Sequence, residues 1–291
     1  QMFGLLNLDK PRGLTSREVV NRVQRLVRPA KVGHTGTLDP LASGVLVVCV
    51  GPATRLVEYV QRMRKKYRAT FLLGRTSATE DIEGEVTVLD DAPQPTRAEV
   101  ERAAAALVGE IEQRPPVFSA LKVRGRRACD LARRGHDLAL APRPIMVYRI
   151  DIERFDYPEL VLDIECGGGT YVRSLGRDLA ESLGSGAVMS ELVRTAVGGF
   201  SQQEARPIDQ LSVATLSAWL LPPVEALGSM PRMVLVDSIL ERVGRGQEIQ
   251  IDLANERRVA AMDASGHLRA IVERKDDGAW WPVVNFPAGA S

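Results

Sequence analysis

The sequence predicts an α+β fold with a mostly antiparallel central sheet, followed by a small β-rich module at the C-terminus. Three observations predict it. Segments of helical period and of strand period both occur, but not in the strict alternation that a doubly wound parallel sheet needs. After "LLPPVEALGSMP" (220–231) the texture changes to short β-like runs: "RMVLVD", "RRVAAMD", "HLRAIVER" and "WWPVVNF". The 291 residues leave ample chain for a core and for more than one domain. A boundary near residue 230 divides the chain into 1–229 and 230–291.

Each element has a local reason. "TSREVVNRVQRLVR" (15–28) puts Val19, Val20, Val23, Leu26 and Val27 on one face, and Thr15 with Glu18 has capping-box spacing. Val45–Val50 is apolar and β-branched and reads as a buried strand. "KYRATFLLG" (66–74) reads as another, followed by the polar loop "RTSATEDIEGE". "PTRAEVERAAAALVGE" (95–110) is a second helix, capped by Thr96 and Glu99. "ELVLDIEC" (159–166) alternates like a strand. "GGG" then turns the chain into a helix, "TYVRSLGRDLAESLG", that ends at Gly184. "ASG" reads as a hairpin turn in the C-terminal module.

Composition sets bounds. Apolar content of 45% and charged content of 26% describe an ordinary globular protein. The net charge of +1 makes any nucleic-acid footprint a local one. Cys49, Cys129 and Cys166 are far apart and odd in number, and there are three histidines, so neither a disulfide framework nor a zinc site is expected. No cofactor or metal is expected. "GVLVVCVG" is too short to span a bilayer, and the early charges argue against a signal peptide. The reading is a cytoplasmic protein with no membrane partner.

Candidate chemistry is concentrated in a few places. In "GHTGTLDPLASGVL" (33–46), Asp39 precedes Pro40, where a turn or capping role is common. The alternative is a nucleophile or base, because Gly33, Gly36 and Gly44 permit close approach of a ligand and His34, Thr35 and Thr37 supply donors. "RMRKKYR" (62–68) is either a solvated charged turn or a phosphate contact, with Tyr67 a stacking plate for a base. Residues 112–149 hold nine Lys/Arg against three acids, a localised basic patch in a nearly neutral chain. "GGGTYVR" (167–173) sets an aromatic beside a guanidinium; Arg173 is either a surface cation or a partner in a cleft. No phosphate-binding glycine motif is present.

Six segments, "LDKPRGLTS" (8–16), "GHTGTLDPLASGVL" (33–46), "KKYRATFLLG" (65–74), "RPPVFSALKVRGRRACDLARRG" (114–135), "GGGTYVRSLGRDL" (167–179) and "LVRTAVGGFS" (192–201), stand in an order that resembles bacterial tRNA pseudouridine-55 synthases of the TruB type. The resemblance implies an isomerase that flips out a T-arm uridine of tRNA, cleaves its glycosidic bond and rejoins the base through C5. It implies a pseudouridine synthase fold, an RNA-gripping insertion at 112–149, a PUA-like module at 230–291, and action as a monomer without guide RNA. Residue by residue, it assigns Asp39 as the catalytic aspartate, Tyr67 as the ring under the uracil and Arg173 as the partner of Asp39. Tyr171 and Leu192 become pocket walls, and His34 fills space near the extruded nucleotide. Lys10, Arg55 and Arg194 lie near the pocket or the RNA. Departures are Arg55 for a usual Lys, Phe118 and Cys129 for Tyr, Gly168 for Lys and Val188 for His; they bear on RNA contact. A tRNA-binding module without catalysis and a guide-dependent synthase are the competing readings.

Overall fold

A computed structural model describes residues 2–118, 140–253 and 255–287, and the backbone of 122–123 and 126–127. Its main elements run β1 (Gly4–Lys10), α1 (Ser16–Val27), β2 (Val32–His34), β3 (Ala42–Val50), β4 (Lys65–Leu73), α2 (Arg97–Ala106), β5 (Gly109–Gln113), β6 (Arg143–Asp156), β7 (Glu159–Cys166), α3 (Val172–Ser182), β8 (Ala187–Val197), β9 (Arg206–Pro207), β10 (Arg232–Val234), α4 (Asp237–Gly244), β11 (Arg258–Met262), β12 (Leu268–Arg274) and β13 (Trp280–Asn285). The chain divides into two compact units: residues 1–39, 45–61 and 198–291, and residues 40–44 and 62–197.

The first unit is organised around β1 and the Val45–Val50 part of β3. The β1 strand pairs parallel with β9, and β2 pairs antiparallel with β3. Leu6, Leu8, Leu46, Val48 and Val50 face Val19, Val23 and Val27 of α1 in one buried cluster. The expected capping box is present: the Thr15 side chain accepts from the Glu18 N–H, and the Glu18 carboxylate accepts from the Thr15 N–H. The same unit holds a second sheet, β10-β11-β12-β13, with its own core around Val259, Ala261, Val272 and Trp280. The expected turn joins β11 to β12, closed by the Gly266 N–H on the Asp263 carbonyl. Two contacts tie this sheet to earlier chain: Phe3 stacks on Phe286 at 5.1 Å, and Arg55 donates to the Asn285 carbonyl at 2.5 Å.

The second unit is a sheet in the order β8-β4-β7-β6-β5, antiparallel at every one of these pairs. Ala42–Gly44, the start of β3, add to β8 in parallel. The sheet arrangement is therefore mixed, with antiparallel pairs in the majority. Gly44 is explained by this pairing rather than by a ligand: its φ is +98°, and a Cβ there would sit 2.3 Å from the Arg194 carbonyl oxygen. The helix read over 95–110 is shorter than expected. It stops at Ala106, Leu107 caps it, and Gly109 at φ +115° starts β5.

Helix α3 lies flush on β4. A Cβ on Gly176 would meet the Phe71 ring at 2.1 Å, so only glycine fits without displacing that ring. Gly176→Ala should cost about 1–3 kcal/mol by overpacking. Urea denaturation measures it, and Phe71→Leu in the same chain should return part of the loss. A wild-type midpoint for Gly176→Ala would contradict this packing.

Candidate active site

In the first unit, the Asp39 loop is held by its neighbours. Ser16, buried at the start of α1, accepts from the Leu38 N–H at 2.8 Å and donates to the Leu38 carbonyl at 3.0 Å. The Thr35 N–H and hydroxyl both reach the Val47 carbonyl, at 3.0 and 3.2 Å. The Gly36 N–H donates to His34 Nδ1 at 3.3 Å. With Thr35 and Leu38 buried and fixed, Asp39 emerges half-buried before Pro40. The backbone that leads into Asp39 is thus fixed at Thr35 and at Leu38. Lys10 is fully buried at the end of β1, its Nζ on the Leu14 carbonyl at 2.6 Å and the Pro11 carbonyl at 3.0 Å. Arg55 is engaged with the Asn285 carbonyl, as described above.

In the second unit the strand register brings three predicted residues onto one face. Tyr67 on β4 stands opposite Arg194 on β8, and Ala69 opposite Leu192. Directly opposed residues of an antiparallel pair share a face. Tyr67 is 7% exposed, Leu192 6% and Arg194 2%, so this face is an interior one. Lys65, two residues before Tyr67, is buried with its Nζ on the Met63 carbonyl at 2.6 Å. Burial pushes its ammonium down to about 8, and the neighbouring Arg194 guanidinium acts in the same direction.

The head of α3 carries the other two. Tyr171 is its N-cap, and Gln113, fully buried at the end of β5, holds that residue twice. Gln113 Nε2 donates to the Tyr171 carbonyl at 3.0 Å, and the Tyr171 N–H donates to Gln113 Oε1 at 2.9 Å. Arg143, the cross-strand partner of Gln113, donates to the Gly169 carbonyl at 2.9 Å with its guanidinium 5.0 Å from the Tyr171 ring centroid. Arg143, one of the nine cations of the basic stretch, thus braces the turn that leads into α3. Arg173 is a buried cation, not a surface one. Its guanidinium donates to the Thr79 carbonyl at 2.7 Å, the Phe118 carbonyl at 3.1 Å and the Asp81 carboxylate at 3.4 Å. Asp81 is itself fixed by the Thr79 hydroxyl at 2.6 Å and the Glu83 N–H at 3.1 Å. Cys129 and the side chains of Lys122, Arg124, Arg126, Arg127, Arg133 and Arg134 lie outside the described residues.

Residues 24–172 match the family described as TruB family pseudouridylate synthase (N terminal domain). The tRNA pseudouridine synthase B of Dehalococcoides mccartyi (strain ATCC BAA-2266) is 40% identical over 290 residues, covering 98% of this chain and 97% of that one. The chain belongs to the TruB family of pseudouridylate synthases. The protein of the same name from Caulobacter vibrioides is 44% identical over 253 residues, 84% of this chain and 81% of its own. Among solved structures, an H/ACA RNP bound to a substrate RNA containing 2'-deoxyuridine aligns with TM-score 0.74 and 25% identity, over 99% of this chain and 86% of that one. A Cbf5-Nop10-Gar1 complex aligns with TM-score 0.71 and 28% identity, over 94% and 78%. The fold of this TruB-family protein is thus the pseudouridine synthase fold with a mixed sheet.

Sequence reasoning missed Ser16, Asp81 and Gln113. Ser16 stood inside a quoted motif, where it reads as a helix-start residue. Asp81 is one of several acids in a polar loop, and Gln113 ends a segment whose strand character was not recognised.

Two outcomes follow. Ser16→Ala should cost about 1–3 kcal/mol, because it leaves the buried Leu38 N–H without its acceptor. It should also slow any reaction that depends on Asp39; unchanged stability and rate would contradict the pinning. Lys65 titrates near 8 folded against an ordinary 10.5, so the unfolded chain binds more protons between those values. Stability should rise as pH goes from about 8 to about 10, and Lys65→Met should flatten that rise in denaturation curves.

Proposed function

We infer that this protein isomerises uridine 55, in the T arm of tRNA, to pseudouridine. Family membership over nearly the whole chain supports the reaction, and relatives named tRNA pseudouridine synthase B support the tRNA substrate. The observation that carries the site assignment is the Asp39 loop: a half-buried aspartate directly after a backbone fixed at Thr35 and, through Ser16, at Leu38.

The chemistry is an isomerisation in the strict sense. The N1–C1′ bond breaks, a C5–C1′ bond forms, the C5 proton leaves and N1 regains one. No electron is gained or lost overall. The target base is stacked in a folded T arm, so it is first flipped out, at a cost of about a few kcal/mol. Basic side chains along 112–149 offset that cost on the phosphates, and Tyr67 offers its ring to the base. Asp39 supplies the carboxylate that opens the glycosidic bond, as nucleophile or as base. Arg173 is its charge partner in the family pattern. In the family pattern Tyr171 and Leu192 are pocket walls, His34 fills space near the extruded nucleotide, and Lys10, Arg55 and Arg194 match positions near the pocket or the RNA. The sheet β10–β13 and its helix act as a PUA-like RNA-binding module within 230–291. The enzyme works as a monomer in the cytoplasm, with no guide RNA.

Mass-spectrometric mapping of an unmodified tRNA incubated with the pure protein tests this reading. Pseudouridine at one T-arm position is expected, and none with Asp39→Asn, which should keep its affinity for tRNA. A full yield from Asp39→Asn, or a modified base elsewhere, would overturn it. Tyr67→Phe should keep most of the RNA affinity and Tyr67→Ala should lose it; equal affinities would end the stacking role.

A further inference from the structure

Glu80 sits between Thr79 and Asp81, two of the three residues that receive the Arg173 guanidinium. Among the described residues it is the non-glycine with positive φ, at +62°. A glycine would adopt that backbone without strain, whereas a glutamate does so only where its side chain is held. It is held by α3. The Glu80 carboxylate accepts from the buried Ser174 hydroxyl at 2.7 Å and is paired with Arg177. Its carbonyl accepts from the Met189 N–H on β8 at 3.0 Å.

The three consecutive loop residues are thus read by one face of one helix. Arg173 takes the Thr79 carbonyl and the Asp81 carboxylate, while Ser174 and Arg177 take Glu80. An extended chain alternates its side chains between two sides. The left-handed turn at Glu80 breaks that alternation and lets all three acceptors face α3. Arg177 adds a further tie: it grips Asp178 through Nε at 2.9 Å and NH2 at 2.7 Å, and donates to the Arg114 carbonyl at 2.8 Å. One guanidinium therefore joins the loop, the helix and the chain just before the Phe118 carbonyl that Arg173 also uses.

We propose that Glu80 and Arg177 form a positioning pair for Arg173, holding its Thr79, Asp81 and Phe118 acceptors in place. The inference rests on the reading of Arg173 as part of the uridine site. Strain kept at this one position, beside that guanidinium, points to a demand of the site rather than of the fold.

The test uses the full-length protein and unmodified tRNA, with three readouts: the rate at saturating tRNA, the tRNA Kd and the denaturation midpoint. Glu80→Gln, which keeps one acceptor but not the charge that pairs with Arg177, should lower the saturating rate less than Glu80→Gly does. Glu80→Gly, which frees the backbone and removes the carboxylate, should lower that rate tenfold or more with Kd within twofold. In an Arg173→Lys background, Glu80→Gly should add less than a twofold loss, because its effect passes through Arg173. Arg177→Met repeats the comparison should Glu80→Gly fail to fold. A Glu80→Gly rate within twofold of wild type overturns the proposal. So does a full additional loss in the Arg173→Lys background, or a Glu80→Gln rate that falls below that of Glu80→Gly. A wild-type protein that makes no pseudouridine overturns the isomerase reading and this one together; normal wild-type turnover with an indifferent Glu80 overturns this one alone.

Discussion

The arrangement around α3 depends on one constraint: a guanidinium taken out of water must be given partners. Arg173 is such a group, and it is satisfied by two carbonyls and a carboxylate drawn from two distant loops. Those acceptors must in turn be fixed. The Thr79 hydroxyl and Glu83 N–H fix Asp81, and the left-handed Glu80 turns the loop toward the helix. Gly176 lets the helix approach β4 closely enough for the contacts to be made. A chain of otherwise unrelated choices follows from burying one charge.

The Asp39 loop is ordered by hydrogen bonds at its buried residues Thr35 and Leu38, with Asp39 itself half-buried. Ser16 uses one hydroxyl for both polar groups of Leu38, which roots the carboxylate to the start of α1. That helix begins where it does because of a capping box, so a local sequence rule sets the place of Asp39 in the next motif.

What could be read from the sequence was what is local. Both capping boxes join residues three apart, and both form as expected. Uninterrupted apolar runs such as Val45–Val50 gave their strand away. The strand Arg143–Asp156 did not, because charged residues are interleaved through it and much of it is exposed, which blurs the alternation. Asp81 and Gln113 were invisible for a different reason. Their partners lie 92 and 58 residues away in the chain, and no window along the sequence holds both members of either pair. Asp39, Tyr67 and Arg173 were candidates from the residues alone and took their roles from the family resemblance, but the hydrogen bonds that hold Arg173 and the loop before Asp39 came only with the fold. The role of Gly44 also needed the third dimension: what looked like room for a ligand is room for the neighbouring strand.

Pseudouridine formation replaces the C5–H bond by a C5–C bond, so the departing hydrogen reports the reaction itself. The most direct measurement is the release of tritium from unmodified tRNA labelled at C5 of its uridines, with enzyme in excess. The account predicts that one equivalent is released per tRNA and that the release is abolished with Asp39→Asn. Tight tRNA binding with no tritium released by the wild-type protein would contradict it.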